Sequence, residues 1–365
     1  MGLEKGRISE TQLTMLIISF ILGTALLFSP GGEAGHDSWI ALLLGLGEAL
    51  IFALLYTVLA ARFPGYSLNE IFSLVYGAIG GRVVSLVFLW YLFHLGALVL
   101  TNFGYFFNSL VLIETPSEVI VLSIVLVSIY AARHGLEVIA RCSQVLLPIA
   151  VFLNILTFVL LLKDFQPKSF QPVLEVSAQR LLFSAHTTAV FPFGESVAFL
   201  LATPALSSPR KPWRPFFLGM LISGGILVLN AVRNIGILGN MQDILFFPSF
   251  QAVREINIGQ ILTRVEIIVA VNFLTMGFLK VAYLLYGAAL SAAEGLGLCD
   301  YRVLGYPLGI LMALLSLLNF SGIYENFEFI TRVYPFYALP FQVGIPLLTL
   351  GIALIRRLPQ EGREP

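Results

Sequence analysis

Long apolar runs constrain this chain more than any other feature: residues 9–33, 37–62, 82–113, 117–133, 138–162, 180–203, 214–238, 262–292, 303–321 and 332–355. Each approaches or exceeds the roughly 20 residues a helix needs to cross a hydrocarbon core. Lipid offers no partner to backbone N–H and C=O groups, so each run is read as a helix that satisfies them internally. Hydrophobic residues make up 58% of the chain and charged ones 12%, at a mean hydropathy of +0.90. The expected fold is an all-α membrane protein of ten transmembrane helices, a single integral membrane domain over residues 1–365. The first run is too long for a cleaved signal and is expected to stay as the first span.

Connectors such as "ARFPGYS", "KDFQPKSFQP" and "SSPRKPWRP" carry the Pro, Gly and charge that mark chain leaving a bilayer. An even number of spans puts both termini on one side. Grouping Lys5, Arg7, Arg62, Arg82, Arg133, Arg141, Arg210, Lys211, Arg214, Arg302, Arg356, Arg357 and Arg363 there collects 13 of the 21 basic residues. By the positive-inside rule that side, with both termini, is cytoplasmic. Residues 163–179 and 239–261 form the longer outer connectors, and "SLNEIFSLVYGAIGG" (67–81) reads as an interfacial helix.

Formal net charge is zero, so no global field points to nucleic acid. Cys142 and Cys299 stand apart from any histidine cluster and are assigned to packing, with no metal and no cofactor expected. There is no phosphate loop, no nucleophile with a base and no carboxylate dyad, so enzymatic bond chemistry has no support.

The sixth span is interrupted by "FPFGE". Pro192 removes a backbone donor and Gly194 tolerates unwinding, so this span is expected to part into two halves facing protein or a cavity. Glu195 follows at once, where an ionisable group must be paired or functional. In the first span, Gly23 and Thr24 lie mid-run and Pro30 near its outer end. Two interrupted spans, each leading one half of the chain, point to a five-plus-five inverted repeat, about residues 9–162 and 180–355, with the site at the repeat interface.

The stretches "RISETQLTMLIISFILGTALLFSP", "PFGE" and "LFFPSFQAVREINIGQILTRVEIIV", in that order, resemble the spore germination permeases. These are the B-type membrane subunits of nutrient germinant receptors, within the amino acid/polyamine/organocation superfamily. The resemblance implies a LeuT-like fold with the first and sixth helices broken around a small amino acid or similar germinant. It also implies A-type and C-type partner subunits in a spore inner membrane. Carried over by position, Gly23, Thr24 and Ala25 are expected to offer backbone N–H groups to a substrate carboxylate. Phe191, Pro192, Phe193 and Gly194 are expected to offer carbonyls to its ammonium, with Phe191 or Phe193 capping the pocket. Glu195 is divided between capping and binding. Leu98 or Asn102 and Thr275 supply the remaining wall.

Lys280 lies at the depth where sodium-coupled members of this fold bind an ion against the first helix. It is read as an ion mimic or coupling group, the alternative being a lysine reaching toward the interface. Arg264 and Glu266 are read as an ion pair, Arg233 as snorkelling outward, and His94 as a buried neutral histidine with one hydrogen bond or a proton relay. The leading functional reading is a germinant receptor subunit on a transporter fold. Competing readings are a proton-coupled amino acid transporter, with Glu195, His94 or Lys280 as carriers, and a scaffold with a vestigial pocket.

Overall fold

Helices begin where a capping side chain meets the edge of an apolar run. The computed structural model describes residues 6–207, 212–256 and 264–359; Lys5, Arg210, Lys211 and Arg363 of the charge pattern and residues 257–263 of the connector motif lie outside the described residues. Ser9 with Gln12 forms a reciprocal capping box that opens α1 (Glu10–Phe28). After α2 (Ser38–Arg62), Ser67 with Glu70 does the same for α3 (Leu68–Phe106). Such boxes satisfy donors that a helix start otherwise leaves open. Gly135, at φ +92°, lets α4 (Ser117–Arg133) turn abruptly into α5 (Leu136–Leu161). There follow α6 (Ala178–Thr188), α7 (Trp213–Leu238), α8 (Pro248–Arg254), α9 (Ile267–Leu296) and α10 (Gly305–Leu318). The last span is a chain of short helices, α11 (Ile323–Glu328), α12 (Tyr334–Leu339) and α13 (Ile345–Ile355), joined by π turns at 329–333 and 340–344.

α9 is the centre of the bundle, packed on α1, α3, α4 and α5 and buried along most of its length. Its apolar residues run all round, the pattern of a helix enclosed by others. Lipid is as apolar as leucine, so close backbone approach must hold such helices together. α1 and α9 achieve it through glycines: a Cβ on Gly23 would press on the Met276 carbonyl, and one on Gly277 would overlap the Phe103 ring. Outward, Ile51, Leu54 and Val58 on α2 and Val145, Ile149 and Phe152 on α5 are exposed at helical spacing. These stripes are the lipid face.

Eight of the described helices are long and apolar enough to cross a membrane. The other two expected spans are helical but fall short of that criterion: α4 has 17 residues, and residues 178–201 are interrupted. The expected interfacial helix is the start of α3, set off from the rest by a break at Gly77 (φ +81°, ψ 174°). Ile8 pairs with residues 205–207, and Arg356 Nη1 donates to the Val75 carbonyl. Both contacts join segments that the charge pattern assigns to one side.

Three expectations need correction. The first span is not broken: α1 runs through Gly23, Thr24 and Ala25 to Phe28 and ends only at Ser29, in the left-handed region. Gly23 serves close packing against α9, so nothing there requires unwinding. Arg233 does not snorkel; it is 2% exposed, donating Nη1 to Thr157 Oγ1 and Nε and Nη2 to Asn234 Oδ1, because α5 and its own neighbour Asn234 supply polar partners inside the bundle. Cys299 is exposed rather than packed, since the chain has already left α9 at Gly297; Cys142 is half-buried.

Candidate functional site

The break in the sixth span lies where "FPFGE" predicts it. α6 stops at Thr188, Phe191 is extended (φ −122°, ψ 117°), and a 3-10 segment resumes over Gly194–Leu201. The backbone groups so released are taken up by side chains from three other elements. Tyr56 of α2 donates to the Gly194 carbonyl at 3.1 Å. Gln342 Nε2 donates to the Val190 carbonyl at 3.1 Å and to Tyr91 Oη at 2.9 Å. Tyr283 of α9 donates to the Ala198 carbonyl at 3.0 Å. Irregular backbone at this depth is tolerated because protein, and not lipid, satisfies it.

At this break sits a fully buried ion pair. Lys280 Nζ donates to Glu195 Oε2 at 2.5 Å and to Thr24 Oγ1 at 3.1 Å, and both charged side chains are sealed from solvent. The other carboxylate oxygen accepts from Tyr334 at 2.8 Å. The Phe20 and Phe191 rings lie 4.8 and 5.6 Å from the ammonium, within range of a cation–π attraction. A charge pair removed from water persists only when its remaining valences are met, and here they are. Lys280 thus ties α9 to α1 and to the broken helix, and does not reach toward an interface.

Beside the pair is a small cavity of about 20 Å³. Thr24, Phe191, Glu195 and Tyr334 form one part of its wall, and Leu95, Leu98, Val99, Asn102 and Ile330 the rest. A larger vestibule of about 200 Å³ adjoins it, bounded by the α1–α2 connector, Arg180, Thr187 and Gln242. Phe191 and Ile330 line both spaces.

Of the residues expected at a site, Thr24, Leu98, Phe191 and Glu195 meet at the cavity, with Lys280 behind Glu195. Gly23 is packed on Lys280 and Met276, and Ala25 is buried within α1. Phe193 is buried but is not part of the cavity wall, while Gly194 lies against the Gln342 side chain. Thr275 is half-buried and bonds only to the Val271 and Asn272 carbonyls of its own helix. Tyr334, Gln342 and Tyr56 were not foreseen. A glutamine inside the run 332–355 was the available signal for Gln342; tyrosines among so many aromatics carried none. His94 Nδ1 bonds to Tyr337 Oη at 2.9 Å and the ring stacks on Trp90. Arg264 Nε lies 3.6 Å from Glu266 Oε1. Among the described residues no group of His, Cys, Asp and Glu is arranged to hold a metal.

A family model described as "Spore germination protein" matches residues 7–321. Spore germination protein KB of Bacillus subtilis (strain 168) is 30% identical over 366 aligned residues, covering 98% of each chain. Spore germination protein YndE of the same organism is 23% identical, over 79% of this chain and 81% of its own. Among solved structures, MhsT in complex with L-phenylalanine superposes with a TM-score of 0.64 at 14% identity, covering 99% of this chain and 91% of its own. Mhp1, a nucleobase-cation-symport-1 family transporter with bromovinylhydantoin bound, gives 0.61 at 14%, covering 98% and 81%. At such identities the likeness is one of fold: this chain has the LeuT-type transporter architecture.

Proposed function

This chain belongs to the spore germination protein family, and from that premise we propose that it is the B-type membrane subunit of a nutrient germinant receptor. It binds a small germinant, an amino acid, in the cavity between α1, α3, the broken sixth helix and the last span. It passes the resulting rearrangement to A-type and C-type subunits in a spore inner membrane, with both termini cytoplasmic. Its ten spans form two five-helix repeats, about residues 9–162 and 180–355. The observation that carries the site is the buried Lys280–Glu195 pair at the helix break, beside a small cavity. A charged pair in that position must be structural, ligand-directed or both.

Ligand binding does work only through different affinities for two conformations. At about 20 Å³ the cavity holds little more than a water, so Phe191 and Ile330, which line both cavity and vestibule, are the groups that would move to make room for a ligand. Lys280 holds a fixed positive charge against α1, so binding needs no sodium. The same pair also supports a second reading, a proton-coupled amino acid carrier in which Glu195 exchanges a proton as Lys280 moves away.

Equilibrium binding of radiolabelled amino acids, nucleosides and sugars to the purified protein, together with counterflow in proteoliposomes, separates the readings. Binding without exchange, lost on Glu195→Ala, supports a receptor. Saturable exchange driven by a pH gradient supports the carrier. Failure to bind any of the panel removes the ligand-binding reading.

A further inference from the structure

The vestibule, at about 200 Å³, has ten times the volume of the cavity it adjoins and room for a small organic molecule. Its polar groups also differ in kind. Around the cavity Glu195, Lys280, Thr24 and Tyr334 are committed to one another, whereas the vestibule borders on charges of both signs that are not paired. Arg180 of α6 is anchored to the α1–α2 connector, its Nε donating to the Glu33 carbonyl at 2.6 Å. Both of its Nη groups are left without a partner among the described residues. The Glu33 carboxylate is not joined to that guanidinium: neither of its oxygens has a partner among the described residues, and Oε2 is buried. Arg332, the other cation near Glu33, is bonded to Glu328.

Gln242 supplies a second free acceptor. Its Nε2 donates to the Gly35 carbonyl at 2.8 Å; a carbonyl can only accept, so the amide is fixed with its nitrogen to Gly35 and its oxygen at the free end. The residue is 5% exposed, and Oε1 has no partner among the described residues. Two unpartnered acceptors bordering one space are costly enough to need a reason. The hydroxyls there cannot serve them: Ser184 donates to the Gly31 carbonyl, Thr187 to that of Phe183 and Thr331 to that of Phe327. What the vestibule lacks is a cationic donor for Glu33 and Gln242 and an anion for Arg180. A zwitterion supplies both, and enters a partly dry space with no net charge.

We propose that the vestibule is the capture site for a free α-amino acid: Glu33 and Gln242 Oε1 accept from its ammonium, the Arg180 Nη groups donate to its carboxylate, and its side chain lies against Phe191 and Ile330. The inference rests on the amino acid reading above, but not on the cavity being where the ligand ends. Both head groups are required, so amines and carboxylic acids that lack one of them bind weakly.

The test is equilibrium binding of radiolabelled L-alanine and L-leucine to the full-length protein in lipid nanodiscs. The competitors are alaninamide and leucinamide, which lack the carboxylate, and propionate and 4-methylpentanoate, which lack the ammonium. Wild type is expected to bind the amino acid about tenfold or more tighter than either analogue, the usual worth of one hydrogen-bonded charge. Arg180→Gln should weaken amino acid binding about tenfold and leave the amide unchanged, and Arg180→Lys should recover part of the loss, keeping the charge without the fork. Glu33→Gln and Gln242→Leu should weaken amino acid and amide alike and leave the deaminated acid unchanged. Thermal unfolding of each variant in parallel verifies that the fold is kept. Amino acid affinity unmoved by Arg180→Gln and Glu33→Gln overturns the proposal, as does equal weakening of amino acid and amide by Arg180→Gln. Glu195→Ala separates this from the reading beneath it. Binding lost there but kept in the vestibule variants removes the vestibule and leaves the cavity; binding that falls in the vestibule variants and survives Glu195→Ala does the reverse. If neither probe binds wild type, the amino acid reading and this inference fall together.

Discussion

Lys280 of α9 and Glu195 of the broken sixth helix, 85 residues apart in sequence, meet at 2.5 Å with no solvent access to either side chain. The contact joins the central helix of the bundle to the one span whose backbone is interrupted. Stability and site geometry therefore depend on the same two residues.

Removing one partner should strand the other. Lys280→Met and Glu195→Gln are each expected to destabilise the protein by about 3–5 kcal/mol, the usual penalty for half of a buried ion pair. The double variant should lose clearly less than the sum, because it leaves no uncompensated charge. Thermal unfolding of the purified variants, arranged as a double-mutant cycle, reads this; additive losses would mean the pair is not coupled.

Ligand affinity should not change when sodium is replaced by choline at constant ionic strength. The Lys280 ammonium, bonded to Thr24 Oγ1 on α1, already supplies a positive charge between α1 and α9. Titration of binding in the two salts checks this, and a requirement for sodium would contradict it.

Gly194 should tolerate no side chain. A Cβ there would overlap the Gln342 amide, whose Nε2 holds the Val190 carbonyl and Tyr91. Gly194→Ala is expected to cost about 1–3 kcal/mol, in the range of core overpacking. Gly47→Ala is the control: that position on α2 is exposed with nothing within 4 Å of an added Cβ. It should be neutral or stabilising by up to about 1 kcal/mol through helix propensity. Unfolding midpoints of the two variants give the comparison.

Arg233 should resist replacement by lysine. Its guanidinium spans from Thr157 on α5 to the Asn234 side chain, which also donates to Ser249 on α8. A lysine carries its three donors on one nitrogen and cannot make the forked contact. Arg233→Lys should lose about 1–3 kcal/mol by leaving a buried polar group unsatisfied, measured as a shift in thermal unfolding.

Much of the architecture was legible because lipid makes a long apolar run and a helix nearly synonymous. The break at "FPFGE" was legible too: a proline beside a glycine interrupts the hydrogen-bond ladder wherever it falls. Gly23 shows the limit of that logic. A glycine in a run can unwind a helix or let a neighbour approach, and only the position of α9 against α1 decides between them. Lys280 and Arg233 show the same limit for charge. Both lie in apolar runs, and whether such a side chain snorkels or is paired inside depends on which polar groups the folded bundle brings to it.

By itself, then, the sequence determined the helical membrane class, most of the span positions and the interruption of the sixth span, since those follow from local hydropathy and backbone chemistry. Tertiary structure alone decided that Glu195 faces Lys280 and Tyr334, that Gln342 and Tyr56 satisfy the broken backbone, and that Asn102 meets Asn326. Each of these is a contact between residues more than 80 positions apart. Partner choice at that range is set by helix packing, which residue type and spacing along one chain do not encode locally.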